Sequence, residues 1–183
     1  PGLVDMGSLC GIALHLLDAI GYAHSHGVLH CDVKPANILF KYMDTATTNG
    51  TEFWHVLLKL TDFGLAKIIG EEFIMESIST SLRRVASGSG VTEDAQSLVG
   101  TYEYMSPEQR RGARIVPQSD LFSVGLVLFQ LLTGERQPGL RPPTDYRKGL
   151  SPEWDDLIAK ALDEDAAGRF QTAEEMTQAI EAL

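Results

Sequence analysis

Residues 30–40, HCDVKPANILF, place a histidine, an aspartate, a lysine and an asparagine within eight positions and then turn apolar. A carboxylate in a polar loop, here Asp32, can orient a hydroxyl and take its proton in a transition state. A lysine two residues on, Lys34, can neutralise charge on a phosphate. The side-chain carbonyl of Asn37 is a hard oxygen ligand suited to Mg2+. These types together suit phosphoryl transfer, where catalysis is mostly positioning and electrostatics. The set lacks a second metal-binding carboxylate, and TDFG at 61–64 offers one in Asp62, followed by a glycine that lets the chain turn sharply.

Such residues need elements to hold them. Between Leu9 and Ala23 apolar residues fall at 9, 12, 13, 16, 17, 20 and 23, the spacing of a helix with a broad core-facing stripe, closed by Gly27. VLH at 28–30 and ANILF at 36–40 predict short extended pieces around the polar loop, and HVLLKLTDF at 55–63 predicts a further strand. The polar stretch 41–53 contains Asn49-Gly50, a strong turn signal, so a hairpin with a long, decorated loop is expected. Residues 70–100 show little periodicity and many Ser, Thr and Gly, which predicts a long mobile loop. SDLFSVGLVLFQLLTG at 119–134 is apolar all round, the mark of a buried helix, with Ser119 and Asp120 as cap candidates and Gly134 at its end. A helix over 151–162 would have Ser151 as N-cap, Pro152 at its first position, and Trp154, Leu157, Ile158 and Ala161 on one face. Another over 172–183 opens with Thr172 and Glu175 in capping-box spacing. The expected fold class is mainly α, with one small two-stranded ribbon and no repeats or internal linker.

Bulk properties narrow the function classes. A chain of 183 residues, 44% hydrophobic, suffices for one compact domain or a large part of one. The formal charge is -10 with a pI near 4.9, and no basic face is visible, which argues against nucleic acid as a partner. Two cysteines, Cys10 and Cys31, without a C-x-x-C, argue against a disulfide framework or a zinc site and fit a reducing, cytoplasmic setting. His24 and His26 lie two apart on a helix, face different sides, and make poor zinc ligands. No apolar run reaching roughly 18 residues is evident, and no leader precedes one, so no membrane segment is expected. Pro1 in place of Met points to a piece of a longer chain.

The motifs occur in an order that resembles one family. HCDVKPANIL resembles the catalytic loop of eukaryotic-type protein kinases, H-R-D-x-K-P-x-N, and DFGLAK the family's metal-binding motif. GTYEYMSPEQ at 100–109 resembles the end of the activation segment, SDLFSVG at 119–125 the start of the buried central helix, and GRF at 168–170 the late arginine. Lys34 matches the serine/threonine branch, and the style of 100–109 is similar to bacterial members. The resemblance implies the helical C-terminal lobe of a protein kinase domain over 1–183, with a small β-ribbon carrying the catalytic and D-F-G loops and an activation segment over 62–108. It implies a serine/threonine kinase using ATP and Mg2+ on a protein substrate. Asp32 would be the catalytic base and Lys34 would contact the γ-phosphate. Asn37 and Asp62 would hold Mg2+, and Thr101 would shape the substrate site beside Asp32 and Lys34. Leu39 would touch the adenine ring. Asp120 would hold the catalytic-loop backbone, with His30 and Phe63 packed above it. Glu108 and Arg169 would form a buried ion pair.

Three departures stand out. Cys31 replaces the arginine that in many family members pairs with a phosphate on the activation segment, which implies that this chain does not rely on that contact. The ribbon loop and the activation segment are longer than the family norm, which reads as tolerated surface growth, with partner binding as the other reading. No glycine-rich loop, β3 lysine or partnering glutamate is present, so an N-terminal lobe is expected upstream and the isolated chain is expected to be nearly inactive. The usual helix after Gly134 is also expected to be lacking, since only a proline-rich stretch, 135–149, stands there. Gln130 sits on the buried helix where the family often has Glu. It reads as a polar residue at the core edge, with an effect on basic-substrate selection as the other reading. The alternative to an enzyme is a non-catalytic pseudokinase or scaffold lobe acting as a binding module.

Overall fold

The structure, a computed structural model, describes residues 4–48, 51–63 and 102–183. Thr101, the loop expected over 70–100, nearly all of the activation segment and the Asn49-Gly50 turn lie outside the described residues.

Helix α1 (Met6–Ser25) begins where the Asp5 carboxylate accepts the Ser8 N–H at 2.9 Å. It ends at His26, and Gly27, at φ 71°, turns the chain back while its N–H and that of Val28 bond the carbonyls of His24 and Ala23. Leu9, Ala13, Leu16, Leu17, Ile20 and Ala23 form its buried stripe. At 20 residues the helix is long and apolar enough to cross a membrane by length and composition, which corrects the reading of the sequence. Asp18 is its one charged residue, and the glycines, serines and histidines that interrupt the apolar run are only weakly polar. The same stripe packs into a protein core, against α3 and α6 below.

A 3-10 turn, Pro35–Asn37, leads into an antiparallel ribbon of β1 (Ile38–Thr48) and β2 (Thr51–Leu60), paired from Ile38↔Leu60 to Thr48↔Thr51. The expected long loop is therefore absent: pairing runs on to the two residues at 49–50, with one irregularity between Met43 and Ala46. Threonines and aromatics in 42–53 suit strands better than their polarity suggested. Residues 28–30 are not a strand either; the Val28 N–H bonds back to the Ala23 carbonyl and the His30 N–H goes to the Asp120 side chain.

Helices α2 (Pro107–Arg110) and α3 (Pro117–Thr133) follow. Helix α3 is buried on nearly every side from Ser119 to Phe129 and ends at Gly134, at φ 79°. It starts two residues earlier than Ser119, at Pro117, since proline at the first helical position needs no N–H partner. Ser119 thus caps from inside, its Oγ accepting the Val116 N–H at 3.1 Å, and Asp120 is no cap at all. Residues 135–149 do contain a helix, the single turn α4 (Pro143–Tyr146). Asp155 fixes it by accepting the Thr144 N–H at 3.0 Å and hydroxyl at 2.6 Å.

Helix α5 (Glu153–Ala161) buries Trp154, Leu157, Ile158 and Ala161, as the spacing predicts. Its N-cap is Pro152, without a side-chain bond, because the Ser151 hydroxyl turns to Glu153 instead. Gly125 lets α3 approach it: a Cβ there would stand 2.8 Å from the Ala161 Cβ. Helix α6 (Ala173–Glu181) closes the core on α1. Thr172 caps it by accepting the Glu175 N–H at 3.1 Å, while Glu175 reaches past the cap to the Gln171 N–H at 2.7 Å. The fold is mainly α with one small ribbon.

Candidate active site

The site is built around a loop that one buried carboxylate holds. Asp120, 1% exposed, lies in the first turn of α3. Its Oδ2 accepts the His30 N–H at 2.9 Å and its Oδ1 the Cys31 N–H at 2.7 Å. His24 on α1 adds a contact to Oδ2 at 2.8 Å, so three segments of chain meet on one side chain. Cys31 sits at φ 66°, a left-handed conformation that a non-glycine residue keeps only when its surroundings fix it.

His30 is fully buried. Its Nε2 donates to the Thr61 carbonyl at 2.8 Å, and its Nδ1 accepts the Asp32 N–H at 3.2 Å, which defines a neutral ring. Burial pushes its pKa below the usual histidine value, against the opposing field of Asp120. Phe63 stacks against it with ring centroids 4.5 Å apart, though Phe63 is itself 41% exposed. Thr61 bonds in turn to the Asn37 carbonyl through its N–H at 2.9 Å and its hydroxyl at 3.2 Å. The two motifs, far apart in sequence, are thereby one hydrogen-bonded unit.

Asp32, Lys34 and Asn37 converge. The Lys34 ammonium lies 2.9 Å from Asp32 Oδ2, and Asn37 Nδ2 donates to that oxygen at 3.0 Å and to the Asp32 carbonyl at 2.8 Å. Asp32 Oδ1 is buried and has no partner among the described residues. Asp62, at φ 61°, is exposed in the chain's second motif. Leu39 on β1 is 52% exposed, beside Phe40 at 46%.

Glu108 and Arg169 form a bidentate pair, both contacts at 2.8 Å, with Arg169 sealed from solvent. Arg169 also donates to the carbonyls of Asp163, Gln118 and Glu164, and the Ser119 hydroxyl donates to Glu108 at 2.6 Å. Burial alone would push the Glu108 carboxyl up. The hydrogen bonds from Arg169 and Ser119 outweigh it and hold the pKa at about 2. The pair ties α2, at the end of the segment, to the turn before α6.

The structure thus brings together Asp32, Lys34 and Asn37; His30, Phe63 and Asp120; and Glu108 with Arg169. Leu39 and Asp62 lie at the exposed edge, and Thr101 is outside the described residues. Sequence reasoning missed the parts played by His24, Gln109, Tyr104 and Ser123. His24 had been considered only as a zinc ligand. Gln109, 7% exposed, links the loop to α2 through the Cys31 carbonyl. Gln130 accepts a hydrogen bond from the Tyr104 hydroxyl, and Ser123 anchors the Tyr104 carbonyl at 2.7 Å. Partners 26 or 96 positions apart leave no local pattern in a sequence.

The chain is similar to known proteins over most of its length. The family model described as protein kinase domain matches residues 3–180, and the chain belongs to that family. Serine/threonine-protein kinase PknB of Mycobacterium tuberculosis is 34% identical over 174 residues, covering 86% of this chain and 23% of that protein. The probable serine/threonine-protein kinase SCO3848 of Streptomyces coelicolor is 31% identical over 186 residues, covering 93% of this chain and 24% of its own length. The crystal structure of the Mycobacterium tuberculosis PknI kinase domain superposes with a TM-score of 0.63 at 25% identity, covering all of this chain and 57% of that one. The chain therefore spans about a quarter of the curated relatives' length. The eukaryotic-type, bacterial-style kinase family read from the motifs is borne out.

Proposed function

We propose that the chain is the C-terminal lobe of a serine/threonine protein kinase domain, with an activation segment over 62–108, and that the whole protein transfers the γ-phosphoryl group of ATP to protein Ser or Thr hydroxyls. One observation carries the reading. Lys34 and Asn37 occupy one oxygen of the Asp32 carboxylate, and the other, Oδ1, is buried without a partner among the described residues. Leaving such an atom unsatisfied costs about 1–3 kcal/mol, which an arriving hydroxyl would recover. Oδ1 orients that hydroxyl and accepts its proton as the oxygen attacks phosphorus. Lys34 holds Oδ2 and balances charge on the transferred group. Similarity to proteins named as serine/threonine kinases supports the class of acceptor.

The residues fit Mg2+ and ATP. Asn37 directs its amide nitrogen to Asp32, which leaves its carbonyl oxygen as the outward donor, and Asp62 offers an exposed carboxylate. Two hard oxygens, with other positions left to phosphate and water, suit Mg2+. Among the described residues no group of three or more His, Cys, Asp and Glu is gathered for another metal. Leu39 offers an exposed apolar face for the adenine ring. Bound Mg·ATP supplies the phosphoryl group and neutralises its oxygens. A cytoplasmic setting belongs to the same proposal, supported by a sequence with two cysteines and no C-x-x-C.

The test is Mg2+-dependent transfer by the full-length protein, with the acceptor identified by mass spectrometry and Asp62→Asn as control. Phosphoserine or phosphothreonine that disappears in the variant supports the reading. No transfer by either protein leaves the non-catalytic binding module.

A further inference from the structure

We infer that Gln109 is a positioning residue for Asp32, and that through it the end of the activation segment controls the direction of the catalytic carboxylate. The inference rests on the kinase reading above for its functional part only.

The geometry is specific to an amide. Gln109 is buried. Its Oε1 accepts the Ser106 N–H at 2.9 Å and the Ser106 hydroxyl at 3.0 Å. Its Nε2 donates to the Cys31 carbonyl at 2.8 Å, across 78 positions of sequence. One planar group must accept on one side and donate on the other, and among side chains of this length only glutamine does both without a net charge. The residue it grips is the strained one. Cys31, at φ 66°, has a peptide group on each side. Asp120 holds the preceding peptide through the Cys31 N–H. Gln109 holds the following peptide through the Cys31 carbonyl, and His30 accepts the N–H of that same peptide, which belongs to Asp32. Fixing that peptide plane fixes the direction in which the Asp32 side chain leaves the backbone.

The other end of Gln109 is anchored at Ser106, where the segment meets α2, and α2 is tied down by Glu108 and Arg169. A displacement of 106–109 would therefore pull the amide from Cys31 and let the peptide before Asp32 rotate. The link from Ser106 through Gln109 to the Cys31 carbonyl uses neutral groups only, so it needs no cationic side chain at position 31, where this chain has a cysteine.

The experiment compares Gln109→Met, of similar size without the bonds, and Gln109→Glu, which keeps the acceptor for Ser106 and loses the donor when ionised. Hydrogen exchange is read by NMR on this chain, and steady-state transfer on the full-length protein. In Q109M the Asp32 N–H should exchange about tenfold faster, while the Cys31 N–H, held by Asp120, and the amides of α1 and α3 stay near wild type. The kcat should fall about 10–100-fold with KM for ATP within about twofold. In Q109E the deficit should shrink as pH is lowered, because a protonated carboxyl can again donate to the Cys31 carbonyl, and Q109M should show no such recovery. Wild-type Asp32 exchange and kcat in Q109M would overturn the inference, as would a uniform rise in exchange at all amides. If the full-length protein transfers no phosphate while Asp32 exchange shifts as expected, the kinase reading fails and the positioning role stands.

Discussion

Arg169→Met tests the energetics of the buried pair most sharply. Arg169 is sealed from solvent and gives both charged nitrogens to Glu108, which keeps the Ser119 hydroxyl and its own backbone N–H when the guanidinium is removed. Breaking a buried pair from one side typically costs about 3–5 kcal/mol. The depressed carboxyl gives a figure of the same order. Arg169, Ser119 and the Glu108 backbone N–H together hold Glu108 at about 2 against an ordinary 4.5, which at about 1.4 kcal/mol per pH unit corresponds to about 3 kcal/mol shared among them, with Arg169 the first contributor. Because the folded value is depressed, this contribution is complete above about pH 4.5 and is lost as pH falls toward 2. Urea unfolding followed by circular dichroism at pH 7, 5, 4 and 3 would measure both. At pH 7 the variant should be about 3 kcal/mol less stable, with Tm lower by about 10 °C. The gap should narrow on acidification, since wild type loses what the variant never had. Adding Glu108→Gln to the variant should recover part of the loss by removing the stranded charge. A gap under about 1 kcal/mol at pH 7, or parallel profiles down to pH 3, would refute the reasoning.

Other expectations follow from the same contacts. Asp120→Asn replaces an acceptor oxygen by a donor facing N–H groups, so stability should drop by about 1–3 kcal/mol and the His30 and Cys31 amides should lose exchange protection together; unchanged protection would contradict the role given to Asp120. His30 is buried and neutral with a lowered pKa, so its contribution is complete above about pH 6.5 and is lost as pH falls through the folded value. His30→Gln should flatten that part of the stability profile, and an unchanged slope would count against it. Gly125→Ala sets a methyl 2.8 Å from the Ala161 Cβ, an overpacking that should cost about 1–3 kcal/mol by chemical denaturation.

Much of the fold was legible because it is periodic. The stripe of α1, the all-apolar α3 with Gly134 behind it, and the face of α5 are patterns of spacing, which burial then reproduces. What was not legible depends on competition between nearby partners. Ser119 and Asp120 look like N-caps, but Pro117 starts α3 earlier; Ser119 caps from inside while donating to Glu108, and Asp120 turns to the loop at 30–31. Ser151 looks like a cap and is drawn to Glu153. The polar stretch 41–53 looks like a loop, yet strand pairing satisfies its backbone as far as Thr48 and Thr51. Within the site, Asp32, Lys34 and Asn37 share one short loop, so a single motif that resembles the kinase catalytic loop marks them together. His24 and Gln109 reach the site from distant elements, so only the folded chain assembles them.

The central claim is that Asp32 Oδ1 is the atom that receives the acceptor hydroxyl. Steady-state phosphate transfer by the full-length protein and its Asp32→Asn variant tests it directly. The account predicts a fall in kcat of about a thousandfold or more, within the range of general-base loss combined with mispositioning, with KM for ATP little changed. Transfer persisting in the variant near the wild-type rate would contradict it.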